Sequence, residues 1–221
     1  MTAWKGLRKG AVRIGSGPTL SSYILPLLLR RFDRQFPGID LQVETRHTPA
    51  LLRSLSTGAL DLPLLVSSEL LAEPNVSFEA FGDFEFALVS HLRHVPRRCA
   101  LAELEKFPFI LFQKGSRMES LIDRYFVEMD FRPRVAMRFD NADAIKAMIR
   151  TGQGISMLPM WSVDTDLRRG ALRLIRQRER PLFSKIVLVS RKSSYIPRPV
   201  GAFVKVAQSF ECRSPHLRSR P

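Results

Sequence analysis

The side chains of this 221-residue chain that are best placed to bind a ligand are hydroxyls at predicted helix starts. Thr19, Ser21 and Ser22 follow a short predicted strand at residues 11–14 and a glycine-serine turn at residues 15–18. A helix that begins directly after a strand presents backbone N–H groups and the positive end of its dipole. The pattern therefore predicts a binding site for an anion or carboxylate, although the same hydroxyls could simply cap the helix.

A further hydroxyl stands at the next predicted helix start. Residues 39–43 alternate as a second strand, and Thr48 and Pro49 follow it. Thr48 is predicted to cap a helix in which Pro49 is the first residue, and Gly58 is predicted to end that helix. The chain thus offers two hydroxyl-bearing helix starts within its first fifty residues.

The stretch from Phe139 to Pro159 has the order of a βαβ unit, which is the building block of a parallel sheet. Asn141 is predicted to cap its amphipathic helix, and Gly152 to end that helix in a left-handed conformation. Gly154 is predicted to allow a tight turn into a buried strand that Pro159 stops. These residues alone indicate an α/β fold.

Two prolines conflict with the elements around them. Pro26 lies beyond the first turn of the first predicted helix, where it is expected to kink the helix at a cost of about 3 kcal/mol. Pro63 lies in a continuous apolar run at residues 60–66, which is typical of a strand covered on both faces, whereas proline favours strand edges and bulges.

Strand and helix patterns alternate once before about Gly82 and again after it, which predicts two α/β lobes. The further predicted strands are residues 84–89, 107–112, 135–139, 172–174 and 186–189, and the further helices are residues 121–129 and 200–207.

The chain has 35 basic and 21 acidic residues, a formal net charge of +14. Such a charge is compatible with nucleic acid, anionic lipid or small anions as partners. The basic residues are mostly arginines in short separate clusters without interleaved aromatic residues, which favours a solvated surface over a nucleic-acid-binding face. The clusters are Arg30 with Arg31, Arg97 with Arg98, Arg168 with Arg169, and Arg213, Arg218 and Arg220.

Several functional classes lack support. Cys99 and Cys212 lie far apart and match no metal spacing, as expected of a reduced cytosolic protein. His91 and His94 stand three residues apart, but no acidic or cysteine partner lies nearby. The sequence contains no secretory signal, no apolar run of membrane-spanning length, and no nucleophile elbow, dinucleotide fingerprint, Walker loop or zinc-protease motif. It therefore predicts a binding protein without cofactor or metal, and not an enzyme.

Three segments together resemble the effector-binding (regulatory) domain of LysR-type transcriptional regulators. They are KGAVRIGSGPTLSSYILPLLLRRFDRQFPGIDLQVE, HTPALLRSLSTGALDLPLLV and, most specifically, FDNADAIKAMIRTGQGISMLP. The resemblance covers about residues 10–210 and implies a two-lobed α/β fold like that of periplasmic type 2 solute-binding proteins. It implies a residual linker at residues 1–10, a first lobe at 11–81 plus 190–212, a second lobe at 82–189 and a disordered tail at 213–221.

The resemblance also implies that a small effector, often a carboxylate or another anion, binds between the two lobes. Thr19 matches the family's Ser/Thr position seven residues before the proline of its LLP motif, which is Pro26 here. Thr48 matches the effector-contacting hydroxyl position after the second strand. The other implied site residues are Leu20, Ser21, Ser67, Phe112, Gln113, Ser116 and Asn141, of which Asn141 either faces the cleft or only caps its helix.

A regulator of this family is expected to be cytoplasmic and homo-oligomeric, a dimer or, at full length, a tetramer, without membrane contact. It is expected to bind DNA only through a winged helix-turn-helix that this chain does not contain. A ligand that closes the cleft would change the packing between subunits. Pro63 replaces the family's usual small residue, so the cleft floor near Val66 is expected to differ. The alternative is a free solute-binding protein of a transport system, and the gene sequence upstream would distinguish the two.

Overall fold

The computed structural model describes residues 9–67, 75–192 and 195–210, except for the side chain of Phe81. Contacts divide these residues into two compact units. Unit 1 comprises the described residues up to 83 together with those from 185 to 210, and unit 2 comprises residues 84–184. The predictions about Cys212, the C-terminal arginines and the tail lie outside the described residues, and the exact lobe boundaries stay predictions.

Strands and helices alternate over much of the chain. Its first half contains β1 (Ala11–Ser16), α1 (Pro18–Tyr23), α2 (Leu25–Gln35), β2 (Asp40–Thr45), α3 (Thr48–Ser56), β3 (Leu62–Ser67), β4 (Val76–Ser90), β5 (Arg98–Cys99) and β6 (Pro108–Phe112). The second half contains α4 (Arg117–Glu128), β7 (Arg134–Phe139), α5 (Ala142–Arg150), β8 (Ile155–Pro159), α6 (Met160–Arg168), β9 (Arg173–Gln177), β10 (Phe183–Arg191) and α7 (Arg198–Gln208). Within the part of the chain that the structure describes, β3 to β6 and then β9 and β10 follow one another without an α-helix between them. None of the helices in the described ranges has the length and hydropathy needed to cross a membrane.

Unit 1 is built on the strand order β2-β1-β3-β10. β1 pairs in parallel with β2 and β3, whereas β10 is antiparallel to β3. Helix α3 packs on β1 and β3, and α7 packs on β1 and α2. Phe32 of α2 and Phe203 of α7 meet with ring centroids 5.1 Å apart. The burial of these apolar faces supplies most of the driving force for folding of the unit.

The helix that the sequence predicts through Pro26 is in fact two helices. α1 ends at Tyr23 and α2 begins at Leu25, so Pro26 lies in the first turn of α2. A first-turn residue needs no intrahelical N–H bond, and proline is therefore well tolerated there. The prediction of a proline inside one continuous helix was wrong, because the chain starts a new helix at this point.

The start of α3 also differs from the prediction. His47 is the N-cap residue and makes no side-chain cap bond, so Thr48 is the first helical residue and not the cap. Pro49 accordingly takes the second helical position. The helix begins one residue earlier than predicted, which leaves the Thr48 hydroxyl available for other contacts.

Pro63 lies inside a central, fully buried strand, despite the usual preference of proline for strand edges. It stands opposite Gly15 of β1. The Asp61 N–H donates to the Arg13 carbonyl at 2.9 Å, so the next N–H on that side of the strand would come from residue 63. The strand therefore gives up one hydrogen bond to β1 and retains its pairing with β10 from Leu64 onward.

Unit 2 is built on the strand order β4-β8-β6-β7, with β9 paired to β4 and β5. β6 pairs in parallel with β7 and β8, and β4 is antiparallel to β8 and β9. The βαβ unit predicted from Phe139 to Pro159 is confirmed: Asn141 caps α5, Gly152 has a φ of 81°, and β8 is fully buried up to Pro159.

Candidate functional site

The carboxyl ends of β1, β2 and β3 form one edge of unit 1. α1 leaves the end of β1, and α3 leaves the end of β2 and leads back to β3 on the other side of β1. In open α/β sheets, ligands bind outside the carboxyl ends of strands, where the direction of the connections reverses. Thr19 follows β1 and Ser67 ends β3, so these two predicted site residues flank that reversal point.

Hydroxyl groups concentrate at this edge. Ser16 Oγ lies 2.6 Å from Ser21 Oγ, and Ser21 Oγ lies 2.9 Å from Thr45 Oγ1. The chain of hydrogen bonds ties the first turn of α1 to the last residues of β1 and β2. Together with Thr19 and Thr48, these three residues are called the hydroxyl edge below. Because Ser21 is bonded on both sides, its role at the edge is to hold the other groups in place.

Thr19 and Thr48 both lie in the first turn of a helix, Thr19 as the second residue of α1 and Thr48 as the first residue of α3. Thr19 is buried, with 4% of its surface exposed, and Thr48 is half-buried. No hydrogen bond joins Thr48 Oγ1 to any other described residue. The first turn of a helix also leaves backbone N–H groups without an acceptor inside the helix. The edge thus combines hydroxyl donors with two positive helix ends, a combination suited to carboxylate or phosphate oxygens. Leu20, by contrast, is buried in the core.

Sequence reasoning missed Ser16 and Thr45. The sequence pattern assigns Ser16 to a turn, whereas β1 continues through Gly15 to Ser16, and Leu51 of α3 packs closely over Gly15. A Cβ on Gly15 would lie 2.4 Å from Leu51 Cδ2. Both missed residues end parallel strands, and the rule that such ends share one edge of a sheet is the signal that could have found them.

The predicted site residues of unit 2 gather at the carboxyl ends of β6 and β7. Ser116 Oγ accepts the Glu119 N–H at 3.1 Å and so caps α4. Asn141 Oδ1 accepts the Ala144 N–H at 2.9 Å, and Asn141 Nδ2 donates to Asp140 Oδ1 at 2.7 Å. Both side chains therefore serve their own helices. That these residues contact an effector stays a prediction.

Phe112 and Gln113, the remaining predicted residues of unit 2, follow one another at the end of β6. The Phe112 side chain is buried and that of Gln113 is exposed. The Gln113 N–H donates to the Phe139 carbonyl at 2.7 Å, which fixes the loop against the end of β7. Gln113 is accordingly the more accessible of the two.

Arg138 and Glu119 add charge at the same edge, and sequence reasoning missed both. Arg138 Nη1 donates to the Phe112 carbonyl at 2.9 Å and lies 3.8 Å from Glu119 Oε1. Burial raises the pKa of Glu119, and the neighbouring carboxyl of Asp123 raises it further. The edge of unit 2 therefore carries an arginine beside a carboxyl group whose pKa is raised.

Other groups considered for chemistry have local roles. His91 Nδ1 lies 3.1 Å from the Ala171 carbonyl, and the His94 ring packs on Phe107 at 5.6 Å. Across the described ranges, no three His, Cys, Asp or Glu side chains come together as a metal site requires.

Comparison with known proteins places the chain in context. The sequence profile of the LysR substrate binding domain matches residues 5–210. One curated relative is the RuBisCO operon transcriptional regulator of Allochromatium vinosum, which is 26% identical over 212 residues, or 95% of this chain and 69% of the relative. The chain spans a smaller share of two other curated relatives, 55% of the length of one and 63% of the length of the other.

Two solved structures share the fold. The effector binding domain of QuiR in complex with shikimate superposes with a TM-score of 0.78 at 21% identity, covering 91% of this chain and 96% of that chain. The regulatory domain of CcmR from Synechocystis PCC6803 in complex with 2-PG superposes with a TM-score of 0.79 at 20% identity, covering 90% and 96% of the two chains.

Proposed function

The chain belongs to the LysR substrate binding domain family, and we propose that it is the effector-sensing and oligomerisation domain of a DNA-binding transcriptional regulator. The observation that supports this function most directly is the hydroxyl edge. Two helix starts and their threonines converge at the carboxyl ends of three parallel strands, which is the place where such sheets bind ligands.

The ligand we propose is a small organic anion. Helix N-termini and hydroxyl groups both favour negatively charged oxygens, and each charge-assisted hydrogen bond contributes more than a neutral one. The two structural neighbours were solved with shikimate and with 2-PG, which are small acidic molecules. Thr19 and Thr48 are the proposed effector contacts, and Ser67, at the end of β3, lies on the other side of the reversal point from Thr19.

In the whole protein, effector binding would act through a difference in affinity between two states of the regulator. We propose that DNA is bound by a winged helix-turn-helix outside this domain, since the chain spans only part of its relatives' length. The proposed role is regulatory and not enzymatic, and the proposed compartment is the cytoplasm, where operator DNA is found in bacteria.

Replacing Thr19 or Thr48 with valine is expected to weaken effector binding about fivefold or more, because a lost hydroxyl bond to a carboxylate costs about 1 kcal/mol or more. Threonine and valine side chains have similar shapes, so both variants should retain the fold. An effector would first be selected by a thermal-shift screen of aromatic acids, other small organic anions and amino acids. Isothermal titration calorimetry would then give the affinities.

Thr57→Val is the matched control. Thr57 Oγ1 lies 3.2 Å from the carbonyls of Arg53 and Ser54 at the other end of α3, so the same chemical change is made away from the hydroxyl edge. Unchanged affinity in both Thr19→Val and Thr48→Val would contradict the proposed site. A loss of the same size in Thr57→Val would show that the effect is not local.

A further inference from the structure

Arginines that are far apart in the sequence lie side by side in unit 2. β5 and β9 pair in parallel with Arg98 opposite Arg176. The Arg178 N–H donates to the Cys99 carbonyl at 3.0 Å, so the pairing extends one residue beyond β9. Arg98, Arg176 and Arg178 are called the arginine face below. Arg98, from the cluster at residues 97–98, therefore shares one surface with arginines about eighty residues later in the chain.

The alternation of the strands directs all three side chains to the solvent. Cys99 and Ile175 are buried, whereas Arg98, Arg176 and Arg178 are exposed. Successive residues of a strand point to opposite faces, and residues paired across a ladder share a face. Arg176 and Arg178 are thus about 7 Å apart along one strand, with Arg98 beside Arg176 on the next. Arg97, next to Arg98, is also exposed.

No ion pair within the described ranges neutralises these arginines. The carboxylates of the same region accept hydrogen bonds from the backbone: Glu103 Oε1 from the Ala100 N–H at 2.8 Å and Glu179 Oε1 from the Leu101 N–H at 2.9 Å. Like charges directly opposite each other on paired strands are destabilising. Three exposed positive charges therefore lie next to one another on this surface.

The chemistry of the face favours the phosphate backbone of a nucleic acid as its partner. None of the large exposed apolar side chains of the described residues lies on β5 or β9. A protein interface needs an apolar centre, and insertion into a lipid surface needs apolar groups that can enter it. Contacts to phosphates need only positioned cations, and arginine is well suited to them.

We propose that the arginine face contacts the phosphate backbone of DNA without reading its sequence. This inference rests on the proposed function, in which the regulator is already held on DNA by its helix-turn-helix. The face would then add sequence-independent affinity to the bound regulator, and its contribution would depend strongly on ionic strength.

The test uses this chain and a fluorescent duplex of random sequence, about 30 base pairs long, without any effector. Anisotropy titrations over a range of salt concentrations give the binding constant and its salt dependence. The double substitution Arg98→Gln and Arg176→Gln should reduce the slope of log K against log salt by about 1.8, since each phosphate contact contributes about 0.9. At low salt the affinity should fall about tenfold or more.

The control is the double substitution Arg30→Gln and Arg34→Gln, which removes two exposed positive charges from α2. The control therefore has the same net charge as the variant of the arginine face. The proposal requires that this control keep most of the affinity and the slope. Three outcomes would each overturn the proposal. The two double variants could lose equal affinity, or the unsubstituted chain could fail to bind DNA at low salt. Polyglutamate or anionic vesicles could also compete more strongly than duplex DNA. Thermal melting should show both variants folded, because removing like charges opposite each other does not weaken the sheet and because Arg30 and Arg34 are exposed.

Because no effector enters this experiment, its outcome is independent of the calorimetric test of the hydroxyl edge. A chain that binds its effector but fails to bind DNA would overturn only the arginine face. If the chain binds DNA through the arginine face but Thr19→Val and Thr48→Val both keep full affinity for the effector, only the effector site is overturned.

Discussion

Asp166→Asn is expected to lower the free energy of unfolding by about 3 kcal/mol, because it removes the main counter-charge of a buried lysine. Lys146 of α5 is 5% exposed. Its Nζ lies 3.1 Å from Asp166 Oδ2 and 2.9 Å from the Ser162 carbonyl, both on α6. Arg150 donates to the other oxygen of Asp166. Asparagine has nearly the same volume as aspartate, so the loss measures charge compensation and not packing.

Urea unfolding followed by circular dichroism measures this loss. Asp143→Asn is the matched control, since Asp143 Oδ1 lies 3.3 Å from the same lysine but its side chain is 55% exposed. An exposed ion pair contributes little, so the control should change stability by about 0.5 kcal/mol or less. Equal losses in the two variants would show that burial of the Asp166 partner is unimportant.

The same carboxylate should give stability a characteristic dependence on pH. Burial acts to raise the pKa of Asp166, but hydrogen bonds from Arg150 and Lys146 outweigh it, and the pKa in the folded protein is lowered. The stabilisation is therefore complete above the pKa of the unfolded chain, about 3.9, and is lost as pH falls through the lower native pKa. The stability difference between the unsubstituted chain and Asp166→Asn should accordingly be largest near neutral pH and shrink in acid.

Gly154→Ala is expected to cost about 3 kcal/mol, because two strands approach each other at this residue. A Cβ on Gly154 would lie 2.3 Å from the Pro108 carbonyl oxygen and 3.1 Å from its carbon. These are backbone atoms at the start of β6, which pairs with β8 through Phe109 and Ile155. A flexible side chain could move aside, but a backbone held in a sheet cannot do so without breaking pairing.

Chemical unfolding of Gly154→Ala would be compared with that of Gly17→Ala. Gly17 has a φ of −67°, and a Cβ there would meet no atom within 4 Å. The control should therefore fall within about 0.5 kcal/mol of the unsubstituted chain. Similar stabilities for the two variants would mean that β6 and β8 can separate at low cost. That result would contradict the close approach of Gly154 to the Pro108 carbonyl.

The fold was largely predictable because most elements have a clear apolar period. The stretch from Phe139 to Pro159 is the best example, since its cap, helix, turn and strand all agree with the structure. Helix α6, by contrast, has no counterpart in the sequence prediction. It buries Ser162, Asp164 and Asp166, so its inward face does not appear apolar in the sequence. The lysine that compensates Asp166 comes from another helix, and no local pattern reveals it.

The candidate site was predictable only in part. Thr19 and Thr48 could be predicted as site residues because helix starts after strands have a recognisable sequence pattern, and their contact with an effector stays a prediction. The roles of Ser16 and Thr45 depend on which strand ends lie side by side. The position of Arg98 opposite Arg176 likewise depends on the pairing of two strands. Such pairings join residues distant in the chain, and composition or local spacing does not specify them.

The order in which the chain is made has a consequence for how it folds. Among the described residues, unit 2 is one continuous segment, residues 84–184, whereas unit 1 is completed only by β10 and α7. During synthesis, the edge of β3 that later pairs with β10 therefore stays unpaired until more than a hundred further residues have left the ribosome. We expect the second unit to fold first and the first unit last, with β3 the segment most exposed to misassociation in the interval.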